Sequence, residues 1–213
     1  VGRTQEIVYG LHKMCLAGRC PAIPIFVDSP LAVNATDVFR LHPECFDPET
    51  YALALSDRDP FGFSRLVYVR TMEESKALNQ YQGPCVIISA SGMCEAGRIL
   101  HHLRYNIEDP RTMVLFVGFQ APNTLGRRLV EGVKQVRILG DQFTVRASIE
   151  RLDGFSAHAD RNEILDFMAR SAPEPTTIFL VHGEPDQIHP LAEELRRRGH
   201  TVYTPASGES HQL

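Results

Sequence analysis

Short runs rich in β-branched and aromatic residues alternate along the chain with stretches whose apolar positions recur at helical spacing. That rhythm predicts βαβ units around a mostly parallel sheet, an α/β architecture. A first helix is predicted over residues 4–17, with Ile7, Leu11 and Met14 on one face and Gly18 as its stop. A strand follows at 23–28. Ser29 is placed to cap a helix that Pro30 opens and Leu41 ends. Pro43, Pro48, Pro60 and Gly62 then interrupt residues 42–63, so this part reads as a loop-rich excursion around a short helix at 49–55.

Strands are predicted at 66–69, 85–89 and 113–118, and the first two lead into helices at 72–80 and 95–107. Right-handed crossovers in such an open sheet place ligands at the carboxyl ends of its strands, here the loops after Asp28, Ser89 and Gly118. From Val133 the pattern changes: runs at 136–139 and 142–152 joined by Gly140-Asp141 carry a hairpin signal. Helices at 159–169 and 186–198, with strands at 177–181 and 201–204, finish the chain, and the best domain boundary lies within 145–156.

Composition narrows the class. At 213 residues, 43% hydrophobic and 23% charged, the chain is expected to fold into one large domain or two small ones. Its longest apolar runs, 84–88 and 113–117, fall far short of the roughly 20 residues a membrane-spanning helix needs. A net charge of −4 repels polyanions in bulk, so any grip on nucleic acid has to be local. The five cysteines make no CxxC pair, and no leader sequence is evident, so reduced thiols in a cytoplasmic protein are expected. Beginning with Val1 and running directly into a helix, the chain reads as one that has lost its start.

Three constellations carry candidate chemistry. Gly154-Phe155-Ser156-Ala157-His158-Ala159-Asp160 stands where a strand gives way to a helix, and Val181-His182-Gly183-Glu184 ends the next strand. The two histidines lie one βαβ step apart on one sheet edge, suited to metal ligation or proton transfer, or to plain capping. They cannot close a zinc site alone, since zinc takes three or four protein ligands. The neighbours His101 and His102 face different directions on a helix and cannot share an ion. Ser89-Ala90-Ser91-Gly92-Met93 between strand and helix can receive an anion, or can be only a capped turn. Arg127, Arg128, Lys134, Arg137, Arg146 and Arg151 give a local positive excess, diluted by Glu131, Asp141 and Glu150, which reads either as a backbone-binding cleft or as a solvated face.

The order of these motifs matters more than any one of them. Gly2-Arg3-Thr4-Gln5-Glu6, Val27-Asp28-Ser29-Pro30-Leu31-Ala32, Ser89-Ala90-Ser91-Gly92-Met93, Gly118-Phe119-Gln120 with Thr124-Leu125-Gly126, Phe155 to Asp160, and Val181 to Glu184 together resemble the β-CASP branch of the metallo-β-lactamase superfamily, the RNA-processing ribonucleases. The resemblance implies a β-CASP domain over 1–150, then the returning C-terminal part of a metallo-β-lactamase αββα domain over 151–213. The zinc-binding N-terminal part, with its histidine-rich cluster, would precede Val1. By the same resemblance His158 is the catalytic proton donor, Asp160 orients it, and His182 ligates one of two zinc ions. Arg3, Ser89 and Ser91 face RNA phosphate, and the interval between the two histidines is lengthened through 171–175. A zinc-dependent RNA phosphodiesterase acting on single-stranded RNA in a cleft between the two domains is therefore implied. The alternatives are an inert fragment serving as a nucleic-acid-binding or scaffold module, and an unrelated ligand-binding domain. A homodimer is a further expectation, since strand 177–181 without a partner sheet would leave an apolar face open.

Overall fold

Ser29 accepts a hydrogen bond from the Ala32 amide, and Pro30 occupies the first turn behind it, so the chain passes from a buried strand directly into a helix. The computed structural model describes residues 2–20, 22–56, 59–155, 158–171 and 176–211, and divides into two units, Val1–Phe155 and Ser156–Leu213.

In the first unit the order is α1 (Arg3–Leu16), β1 (Ile25–Asp28), α2 (Pro30–Leu41), a 3-10 turn at Pro43–Cys45, α3 (Pro48–Leu55), β2 (Leu66–Tyr68) and α4 (Met72–Leu78). It continues with β3 (Val86–Ser89), α5 (Ile99–Asn106), β4 (Met113–Phe116), α6 (Leu125–Val130), β5 (Gln135–Ile138), β6 (Asp141–Thr144) and β7 (Ser148–Arg151). β1 is central in a parallel sheet of order β2-β1-β3, with Asp28 opposite Ser89. This is the parallel sheet flanked by helices that the sequence predicts.

Two apolar clusters hold this unit. Val8 of α1, Val27 of β1, Ala32 and Val33 of α2 and Phe61 form one, with Phe39 and Phe46 edge-on to Phe61. The other joins Leu103 and Ile107 to Phe116, Leu129, Val136, Ile138 and Ala147. The β5–β6 hairpin takes part because Val136 and Ile138 alternate inward while Gln135 and Arg137 face out.

Three details differ from the sequence reading. The run 142–152 is not one strand: after β6 the amides of Arg146 and Ala147 both bond to the Ile107 carbonyl, and β7 pairs in parallel with β4. The helix expected from residue 95 begins at Ile99, because the amides of Glu95 and Ala96 turn back to the Ser91 hydroxyl and that of Ile99 to the Ala90 carbonyl. Helix α6, capped by Thr124, lies in a stretch where no helix is predicted.

The second unit contains α7 (Arg161–Arg170), β8 (Thr177–Phe179), α8 (Pro185–Arg197) and β9 (Thr201–Tyr203). β8 and β9 pair in parallel, and Leu165, Ile178, Ala192, Leu195 and Val202 form the core. Ser156 and Ala157, and residues 172–175 of the expected insertion, lie outside the described residues. Among the described residues no helix is long and apolar enough to cross a membrane.

Candidate functional site

The carboxyl edge of the three-stranded sheet is organised by Asp28, which is 0% exposed. A carboxylate at the end of an apolar strand needs partners. It has three: Ser75 Oγ donates to it at 2.6 Å, Arg98 Nη1 at 2.5 Å, and His102 Nε2 lies 2.6 Å from Oδ2. Burial pushes the Asp28 carboxyl up, and the hydrogen bonds from His102, Ser75 and Arg98 outweigh it and hold the group below the ordinary carboxylate range. Arg98 also donates to the Val69 and Arg70 carbonyls, so the ends of β1 and β2 and the start of α5 meet at one buried charge.

Of the predicted phosphate-facing residues, Ser89 touches this hub directly. Ser89 Oγ donates to the Asp28 carbonyl at 2.9 Å, and Ser91 Oγ accepts two backbone N–H groups, each at 3.3 Å. Arg3, in the first turn of α1, donates through Nε to the Phe155 carbonyl at 2.9 Å. Its guanidinium lies against the bare Cα of Gly118: a Cβ there would stand 2.5 Å from Arg3 Nη1. Among the described residues neither Nη nitrogen of Arg3 has a hydrogen-bonding partner. A guanidinium anchored through Nε, with neither Nη hydrogen-bonded among the described residues, has donors left for an anionic oxygen pair.

Behind Gly118, the buried Gln120 fans its Nε2 to the carbonyls of Gly92, Gly118 and Phe119 at 3.0–3.1 Å. The Gly126 amide donates to the Met93 carbonyl, and Glu95 accepts from the Leu125 amide at 2.5 Å. The loops after β3 and β4 are thus locked together. The basic stretch is neutralised in part: among the described residues two of its six members are ion-paired, Arg127 with Glu131 and Arg151 with Asp153.

In the second unit Asp160 caps α7, accepting from the Glu163 amide at 2.9 Å while Glu163 reciprocates at 2.8 Å. His158 is exposed two residues before this cap. His182 follows β8 in the left-handed region, φ 62°, and with Gly183, His189, Thr204 and Pro205 lines a cavity of about 260 Å³. Among the described residues no group of three or more His, Cys, Asp or Glu comes together as a metal site. The described part of this chain alone therefore does not supply the three or four ligands that a zinc ion takes.

Sequence reasoning gave no role to Ser75, Arg98 and His102, and named Gln120 only within a motif. For the first three a signal existed: an acid closing a buried strand has to be answered by donors from elsewhere. His102 is that donor while its neighbour His101 faces out, as their adjacency on a helix requires.

Comparison with known proteins follows this layout. The Beta-Casp domain family matches residues 4–129, and the family described as a Zn-dependent metallo-hydrolase RNA specificity domain matches 143–205. Ribonuclease TTHA0252 of Thermus thermophilus is 39% identical over 209 residues, covering 98% of this chain and 47% of the relative. An RNase J-like protein of Methanocaldococcus jannaschii is 30% identical over 184 residues, covering 86% of this chain and 41% of the relative. A transcription termination factor FttA of Methanosarcina mazei is 29% identical over 204 residues, covering 93% and 32%. The chain therefore spans about half or less of the length of these relatives. With its loops joined in the manner described and more than half its length matched, the chain belongs to the β-CASP family of the metallo-β-lactamase superfamily.

Proposed function

We propose that this chain is the RNA-gripping part of a zinc-dependent RNA phosphodiesterase. The observation that carries the reading is Arg3: fixed through Nε by the Phe155 carbonyl and set against Gly118, with neither Nη hydrogen-bonded among the described residues and so with donors left for a phosphate oxygen pair. Ser91, whose oxygen accepts two N–H groups, still has its own O–H proton to donate, and Ser89 retains acceptor capacity beyond its bond to the Asp28 carbonyl. Backbone contacts of this kind suit single-stranded RNA without fixing its sequence. The names of the ribonuclease relatives and of the RNA specificity family support RNA as the polymer.

In this reading His158 protonates the departing oxygen, an exposed imidazole on the segment that enters α7. Asp160 fixes that segment through its capping box with Glu163. His182 is the zinc ligand that this chain offers, and the remaining ligands of a complete site belong to other parts of the protein.

In the full product of the gene, His158→Ala should lose RNA cleavage and keep most of its zinc, whereas His182→Ala should lose both. Equal zinc content and equal activity in the two variants would refute the division of roles. A second reading rests on the lack of a three-ligand cluster among the described residues: alone, the 213-residue chain is a binding module without hydrolytic activity. Stoichiometric, tightly held zinc or nuclease activity in that piece would overturn it.

A further inference from the structure

Phe119 is 54% exposed although its surroundings are among the most constrained of the unit. Its carbonyl and those of Gly118 and Gly92 all accept from the one Gln120 side-chain amide, and Gln120 itself is 5% exposed. These hydrogen bonds hold the backbone of the turn, so displacing residue 119 itself would break buried contacts. On one side, Gly118 is pressed by the Arg3 guanidinium. On the other, the Gly92-Met93 segment belongs to the loop that carries Ser89 and Ser91, and Met93 is itself partly exposed. An exposed apolar ring on a held backbone, one residue from the glycine that Arg3 abuts and tied through Gln120 to the serine loop, has the layout of a nucleobase platform: phosphate on the cation, base on the ring face.

We propose that Phe119 stacks on a base of the bound single-stranded nucleic acid and makes the grip depend on nucleobases as well as on phosphates. The inference rests on the RNA-binding reading above and adds to it the residue that senses a base. A stacking contact tolerates every base, because each presents a π-face, so it contributes affinity with little sequence preference.

The test uses the full gene product and two 10-nucleotide probes, oligoadenylate RNA and a fully abasic oligonucleotide of equal length, followed by fluorescence anisotropy. Phe119→Ala should weaken oligoadenylate binding about ten-fold and leave the abasic probe unchanged. Phe119→Trp should restore the loss, whereas Phe119→Leu, which keeps apolar bulk and fold, should not. Arg3→Ala should instead weaken both probes and reduce the salt dependence by about one counterion, a slope that Phe119→Ala leaves intact. Unchanged binding of Phe119→Ala to oligoadenylate, or an equal loss on both probes, would overturn the stacking role while RNA binding stood. A parent protein that bound neither probe would remove the RNA reading, and the platform with it.

Discussion

His102 Nε2 lies 2.6 Å from Asp28 Oδ2, and both side chains are buried between the sheet and α5. The same carboxylate accepts from Ser75 and Arg98, so one acid satisfies donors from two helices and the loop before α5. Removing it leaves a guanidinium and an imidazole without their acceptor. Asp28→Ala is expected to destabilise the unit by about 3–5 kcal/mol, the usual cost of breaking a buried pair. Urea unfolding measures this, and a loss under about 1 kcal/mol would show the cluster to be dispensable.

The same carboxylate gives a pH prediction with a definite sign. Its folded-state pKa is lowered, so it binds its proton less readily folded than unfolded. The stability it contributes is fully present above the unfolded value of about 3.9 and is lost as pH falls through the folded value. The gap in urea midpoint between the parent and Asp28→Asn should hold from pH 7 to 5 and narrow below about pH 4. A gap that widens on acidification would contradict the hydrogen-bond pattern.

Gly126 tests the clamp between the two loops. Alanine in α6 gains up to about 1 kcal/mol of helix propensity over glycine. Its Cβ, however, would collide with Gln120 Oε1 and stand 3.0 Å from the Met93 carbonyl. The collision wins: Gly126→Ala should destabilise by about 1–3 kcal/mol. In a double-mutant cycle with Gln120→Ala the two losses should fall short of additive, and strict additivity would separate the residues.

The cysteines differ in a way that a labelling experiment reads. Burial, with the Glu95 charge adding to it, pushes the Cys94 thiol up to about 12, while Cys45 is exposed. Iodoacetamide at pH 8 should modify Cys45 in the native protein and reach Cys94 only in denaturant, as peptide mass spectrometry would show. Early modification at Cys94 would mean that the loop after β3 opens.

How much of this was legible depended on whether the determinant was local. Ser29 and Pro30 announce α2, and the alternation of Val136 and Ile138 announces a hairpin strand, because these signals operate within a turn or a strand. The split of 142–152 did not show, since it follows from Arg146 and Ala147 bonding to Ile107, a partner far away in the chain. The shortened start of α5 was hidden for a similar reason: the Ser91 hydroxyl competes for amides that a helix would otherwise use. Motif order singled out Arg3, Ser89, Ser91, His158 and His182 as candidates. That Asp28 needs donors could be read from the sequence, but which residues supply them could not, because Ser75, Arg98 and His102 meet it only across the fold.

The backbone at position 182, with φ 62°, has one further consequence. That conformation disfavours any side chain with a Cβ by about 1–2 kcal/mol, so glycine would suit the chain better there than the residue it carries. Tolerance of the local geometry therefore does not explain the imidazole. Under the zinc-ligand role proposed for His182, sequences that have lost that role should drift to glycine or asparagine at this position, whose backbone either residue accommodates more readily.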